Sequence, residues 1–201
     1  MLANASTYFR LEDILLWLTV IAGQHRFDLF GMSVIALATA LGGGSLRDML
    51  LNKDVFWIDN QLFLIVALWA GVASFFYARR YNYSLKLFLI PDAIGLATFS
   101  IAGTITALSA DAPWLVASFM GVITGVAGGI IRDMMSNEIP IVFTSTLYAT
   151  VSWLGGLLFI ALIHLGLYTA VAAAIAGTSI FLIRLAAIKW DMSLPVFKTR
   201  K

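Results

Sequence analysis

The string "TALGGGSLRDML" occupies residues 39–50, and "TGVAGGIIRDMM" occupies 124–135, 85 positions further on. The register between them holds residue by residue: Thr39 with Thr124, Gly43-Gly44 with Gly128-Gly129, Arg47-Asp48 with Arg132-Asp133, Met49 with Met134, and Asn52 with Asn137. Each string sets glycines and then a charged pair inside an otherwise apolar segment, a combination suited to ion handling. The consecutive Gly42, Gly43 and Gly44 each cost about 1 kcal/mol relative to alanine in a helix, so the segment is expected to unwind there. Gly128 and Gly129 predict a second break. Freed carbonyls can replace a cation's hydration shell, and the hydroxyls of Thr39 and Thr124 offer further oxygen ligands.

The charges sharpen this expectation. Arg47 and Arg132 each cost about 2.5–3.5 kcal/mol at the centre of a membrane helix, so both should face water or a partner. Successive helix residues do not face one another, so each arginine is expected to pair with another helix rather than with the neighbouring Asp48 or Asp133. Asp92, placed after Pro91 at an expected first helical position, is the candidate partner. Ser45 and Asp48 stand at capping-box spacing and are expected to open a new half-helix after the first break, with Asp48 at its positive dipole end. Ile130 replaces Ser45 in the second string, so the halves are not equivalent.

Other chemistry is excluded by pattern. "GGGSLRD" lacks the G-x-x-x-x-G-K-[ST] order of a phosphate-binding loop, and Ser45 lacks the G-x-S-x-G elbow. His25 and His164 have no metal-ligand spacing. No enzyme activity, cofactor, nucleic-acid partner or tightly held metal is expected, and any bound cation should be transient.

These residues must be positioned by membrane helices. The 201-residue chain is 61% hydrophobic and 12% charged, against about 25% charged in an ordinary soluble domain. Its apolar runs are near the ~20 residues that cross a hydrocarbon core. Seven spans are expected, at about 9–23, 28–51, 60–78, 89–108, 114–136, 144–164 and 168–188. The two strings fall in spans two and five. The "IAG" of 21–23 and that of 101–103 extend the resemblance between the halves upstream. An odd number of spans per copy makes the second copy enter from the opposite side. The expected fold is an all-α polytopic membrane protein, a 3+3 inverted repeat plus one helix, with spans two and five broken at glycines. Its divisions are 1–83, 84–165, and a seventh helix with basic tail at 166–201. Gly155-Gly156 and "AAAIAGT" at 172–178 read as close-packing surfaces. Arg26, Arg79, Arg80, Lys86, Lys189, Lys198, Arg200 and Lys201 fall on one side, which predicts a cytoplasmic C-terminus and an external N-terminus in the plasma (inner) membrane.

With "PDAIGLATFSIAG" at 91–103 and "NEIPIVF…LYATVSWLGG" at 137–156, the paired strings make the chain resemble the bacterial branch of the trimeric intracellular cation (TRIC) channel family over about residues 11–190. That resemblance implies a homotrimer in membrane lipid with one pore per protomer, lined by kinked second and fifth helices and conducting monovalent cations, chiefly K⁺. Carried over by position, the kink residues are Gly42, Gly43, Gly44, Gly128 and Gly129, the charged pairs are Arg47-Asp48 and Arg132-Asp133, and the aspartate of the fourth helix is Asp92. Ala127 stands where the second string would complete its glycine triplet, and the first half has no match for Gly95.

Three functions are compatible with such a chain: a K⁺ channel, a carrier of a small zwitterion such as glycine working at the same broken-helix site, and a structural membrane protein. In the carrier, an arginine and helix N-termini would hold the carboxylate, and Asp48 or Asp92 the ammonium.

Overall fold

The computed structural model describes residues 28–80, 85–144 and 147–193, and all regular structure among them is helical. The expected first span, Trp17, His25, Arg26 and the basic residues after 193 lie outside the described residues. Long helices are α1 (Leu29–Leu50), α3 (Leu62–Arg80), α4 (Leu85–Leu108), α5 (Trp114–Met135), α7 (Ala149–His164) and α8 (Thr169–Trp190). Two single-turn helices, α2 (Phe56–Asp59) and α6 (Ile141–Thr144), follow α1 and α5.

The sequence repeat is written into the helix boundaries. α1 and α5 both have 22 residues and begin and end at matched positions, as do the four-residue α2 and α6. Both long helices end on a left-handed asparagine, Asn52 (φ 52°) and Asn137 (φ 54°). The next N–H reaches back five residues in each case, Lys53 to the Asp48 carbonyl at 2.9 Å and Glu138 to the Asp133 carbonyl at 2.8 Å. This closure satisfies carbonyls at a helix end, and asparagine tolerates the left-handed conformation it needs.

Four helices, Leu29–Leu50, Leu89–Leu108, Trp114–Met135 and Thr169–Trp190, are long and apolar enough to cross a membrane; Leu62–Phe76 and Ala149–His164 are shorter apolar helices. Their outward faces are apolar too: Phe30, Trp69, Phe76 and Leu182 are all exposed. Such surface belongs in lipid, because in water it would be a large unpaired apolar patch.

α5 is the hub, packing against α1, α4 and α7. Small residues make this possible. Gly121 and Gly125 admit the backbone and hydroxyls of α4 at Leu96, Ser100 and Thr104, and Gly103 of α4 admits Thr124. This is the close approach that glycines at i and i+4 permit between membrane helices. The buried Ser100 and Ser152 hydroxyls, 2.6 Å apart, bond α4 to α7. Leu96 and Ile101 of α4, Phe159 and Ile160 of α7, and Ala172, Ala176 and Ile180 of α8 fill the core. Gly155 packs against Ile180 and Gly156 against Thr104 and Ser118.

Pro91 sits inside α4 rather than at its first position. An interior proline removes one helix hydrogen bond, a loss that packed neighbours can compensate in membrane helices.

These packing environments separate the glycines by function. A methyl group on Gly177 would meet only Ile101, at 3.9 Å. Gly177→Ala should therefore raise stability in detergent by up to about 1 kcal/mol through helix propensity, whereas Gly155→Ala, driven into Ile180, should lower it. Thermal unfolding of the two variants side by side checks both signs.

Candidate functional site

The expected breaks in spans two and five are not found: α1 runs unbroken through Gly42, Gly43 and Gly44, and α5 through Gly128 and Gly129. The glycines are used for contact instead. A methyl group on Gly43 would overlap the Thr124 carbonyl oxygen, and one on Gly128 the Thr39 carbonyl oxygen. Backbone touches backbone here, so dispersion contacts along the crossing offset the poor helix propensity of glycine. The two contacts are images of one another under the repeat. They also pair later residues of one helix with earlier residues of the other, so α1 and α5 cross in antiparallel sense, about a pseudo-two-fold axis. The Thr39 and Thr124 hydroxyls turn onto their own helices, donating to the Ile35 and Met120 carbonyls at 2.7 and 2.6 Å.

The structure thus brings Thr39, Gly43, Thr124 and Gly128 together but keeps the charged pairs apart. Arg47 lies eight residues beyond Thr39, about 12 Å along a helix, and Arg132 lies as far beyond Thr124 in the opposite direction. An Arg-Asp pair therefore stands at each end of the crossing, the first buried and the second partly buried.

Within each pair, the expectation that neighbours do not interact is overturned. Arg47 Nε donates to Asp48 Oδ1 at 2.8 Å, and its Nη2 lies 2.7 Å from the same oxygen. Arg132 Nε donates to Asp133 Oδ1 at 2.8 Å. The Cβ vectors diverge, but an arginine stem is long enough to curl back along the helix. The second carboxylate oxygen has its own task. Asp48 Oδ2 accepts from the Phe56 N–H at 3.0 Å, and Asp133 Oδ2 from the Ile141 N–H at 2.9 Å. Each aspartate thereby caps the first residue of the short helix that follows, satisfying a donor that has no partner within that helix. Both pairs lie in the last turns of α1 and α5, where an arginine is favoured by the helix dipole. Asp48 therefore does not open a half-helix. Nor does Ser45 cap one: it donates to the Leu41 carbonyl at 2.8 Å and accepts from Trp57 Nε1 at 2.9 Å.

Beyond this shared design the ends differ. Around the first pair the surroundings are apolar: Phe56 fills the space beside Gly44, the Arg47 guanidinium lies 5.7 Å from the Phe56 ring centre, and Phe63 packs edge-on to Phe56 at 5.0 Å. Polar groups surround the second pair. Arg132 Nη1 donates to Asp92 Oδ1 of α4 at 3.0 Å, so Asp92 partners Arg132 and not Arg47. The Asp92 side chain is only 4% exposed. Tyr148, which matches Phe63 in the repeat, is buried at the start of α7, and its hydroxyl reaches the space beside Gly129.

Sequence reasoning missed Tyr148 and also Arg184, a fully buried arginine of α8 whose guanidinium lies 4.7 Å from the Tyr148 ring centre. The available signal was Arg184 itself, a charge well inside the apolar run "TAVAAAIAGTSIFLIRLAAIKW", whose other charge, Lys189, sits next to its end. A charge within a membrane segment is reason to suspect function. It went unread because α8 lies outside the repeat. Among the described residues, no group of three or more histidine, aspartate or glutamate side chains is placed to hold a metal ion.

Comparison with known proteins places these features in context. A family model described as glycine transporter matches residues 19–79 and 89–164. A UPF0126 membrane protein of Vibrio cholerae is 41% identical over 186 residues, covering 90% of this chain and 77% of that protein. The UPF0126 inner membrane protein YadS of Escherichia coli K12 is 39% identical over 182 residues, covering 89% and 87%. Among solved structures, a TRIC cation channel studied for its conductance superposes with a TM-score of 0.81 at 29% identity, covering 96% of this chain and all of that one. The TRIC trimeric intracellular cation channel orthologue of Rhodobacter sphaeroides superposes with a TM-score of 0.73 at 29% identity, covering 87% and 100%.

Proposed function

Since the chain belongs to the glycine transporter family and shares its fold with TRIC cation channels, we propose that it is a K⁺-permeable channel of the bacterial inner membrane, assembled as a homotrimer. The route runs through each protomer along α1 and α5. One observation carries this reading: two Arg-Asp pairs within the bundle, related by the repeat, stand at opposite ends of an antiparallel crossing built on backbone contact. Such charges are costly in lipid and are kept where they act on a solute. Thr39, Gly43, Thr124 and Gly128 form the closed point of the route, so conduction requires α1 and α5 to part there. Gly42, Gly44 and Gly129 flank this point, and Ser45, Arg47, Asp48, Asp92, Arg132 and Asp133 shape the field at either mouth. Repeats 1–83 and 84–165 insert with opposite topology, followed by the seventh helix, with the N-terminus outside and the C-terminus in the cytoplasm.

A second reading is favoured by that closed crossing and by the description of the family model. A solute held at a point shut by backbone contact and released by rocking of one repeat against the other is alternating access. The solute would be a small zwitterion, its carboxylate on Arg132 and its ammonium on Asp92.

Planar-bilayer recording of the purified protein under a KCl gradient tests the proposal. Unitary currents reversing near the K⁺ potential, with conductance changed severalfold by Arg47→Ala, are expected. A silent bilayer alongside saturable glycine counterflow in proteoliposomes would replace the channel with the carrier.

A further inference from the structure

Arg184 belongs to α8, the one long helix outside the repeat, yet it is only 1% exposed and lies against the machinery of the second half. Its Nη1 donates to the Leu147 carbonyl at 3.2 Å, while the Leu147 N–H donates to the Met192 carbonyl at 3.1 Å. Arg184 of α8 and Met192 just beyond it thus hold the carbonyl and the N–H of Leu147, in the approach to α7. The guanidinium also stacks on Tyr148. From there the path is short: a methyl group on Gly129 would meet the Tyr148 hydroxyl at 3.4 Å and Arg132 Nη2 at 3.6 Å. Asp92, bonded to Arg132 at 3.0 Å, closes this chain of contacts from Arg184. Arg132, Asp133, Asp92 and Arg184 together carry two positive and two negative charges, so among these four Arg184 supplies the balancing cation. Among the described residues of the first half, Arg47 pairs with Asp48, and Phe63 occupies the position of Tyr148.

We propose that Arg184 is a positioning residue for the permeation route: it balances Asp92 and holds Leu147 and Tyr148 so that Arg132 is shared between Asp92 and Asp133. α8 thereby sets the field at one mouth of the route and leaves the other untouched. Without Arg184, Asp92 draws Arg132 from Asp133, which loosens the cap on α6. Buried polar groups have few alternative partners, so their arrangement should respond to the loss of one member as a unit.

The inference rests on the proposed conduction, and the test separates the two. K⁺ flux is measured in proteoliposomes for wild type, Arg184→Gln, Asp92→Asn, the double variant and Arg184→Lys, each also followed by thermal unfolding in detergent. Each neutralising single variant is expected to change flux at least threefold. The double variant, which restores charge balance, should return to within twofold of wild type, and Arg184→Lys should stay closer to wild type than Arg184→Gln. Multiplying single effects in the double variant, or wild-type flux in Arg184→Gln, would overturn the positioning role. If Arg184→Gln is not recovered folded, the comparison of Arg184→Lys with wild type decides: flux lost despite retained charge and unchanged unfolding temperature overturns the charge coupling. A wild-type protein that passes no K⁺ while its unfolding temperatures still show the double variant rescued would instead refute conduction and leave the Arg184–Asp92 coupling standing.

Discussion

Arg132→Gln should be the most damaging single substitution in the described bundle. It removes the cation that bonds Asp92 at 3.0 Å and Asp133 at 2.8 Å, leaving two largely buried carboxylates without it. Deleting one partner of a buried pair costs about 3–5 kcal/mol, because the remaining charge is stranded away from water. The loss should appear as a lower unfolding temperature in detergent and a K⁺ flux reduced at least tenfold. Arg132→Lys is the informative comparison. Lysine keeps the charge but lacks the fork that lets Nε serve Asp133 while Nη1 serves Asp92, so it should recover part of the stability and less of the flux. Asp133→Asn should be milder, since an amide oxygen can still accept from the Ile141 N–H. If Arg132→Gln unfolds at the wild-type temperature, the network has no structural role.

Gly128→Ala should have the second largest effect, and its sign in flux discriminates between mechanisms. The added methyl is driven into the Thr39 carbonyl oxygen, which is backbone and cannot rotate away. Overpacking of this kind costs about 1–3 kcal/mol, and relief comes only by moving α1 away from α5. Gly43→Ala presses on the Thr124 carbonyl from the other side. Once either substitution has parted the helices, the other meets less resistance, so the double variant should cost less than the sum of the singles. For a channel closed at this crossing, parting the helices should raise open probability in single-channel records. For a carrier, it should uncouple the two access states and abolish saturable exchange. Gly95→Ala, whose methyl would meet only Phe99 at 3.9 Å, serves as the control and should leave flux unchanged.

Much of this architecture was determined by the sequence itself. The length of the apolar runs dictated membrane helices, and the repeated order of Thr, Gly-Gly, Arg-Asp and Asn carried matched helices with matched ends. The left-handed Asn52 and Asn137 are local consequences of residue type. A long arginine and a carboxylate on different apolar segments also made Asp92 a partner worth expecting.

Tertiary structure decided the rest. The glycines of 42–44 and 128–129 were read from their helix cost, about 1 kcal/mol each. That local penalty is outweighed when a second backbone packs into the space a side chain would fill, and no local pattern shows that α5 lies there. The Arg-Asp neighbours were read from Cβ directions, yet the arginine curls back because the aspartate is anchored by the N–H of a helix eight residues later. Arg184 and Tyr148 belong to the site only because α8 and the start of α7 pack where Arg132 ends. Local chemistry fixes what each residue can do; which residues do it together depends on contacts between segments that sequence spacing does not encode.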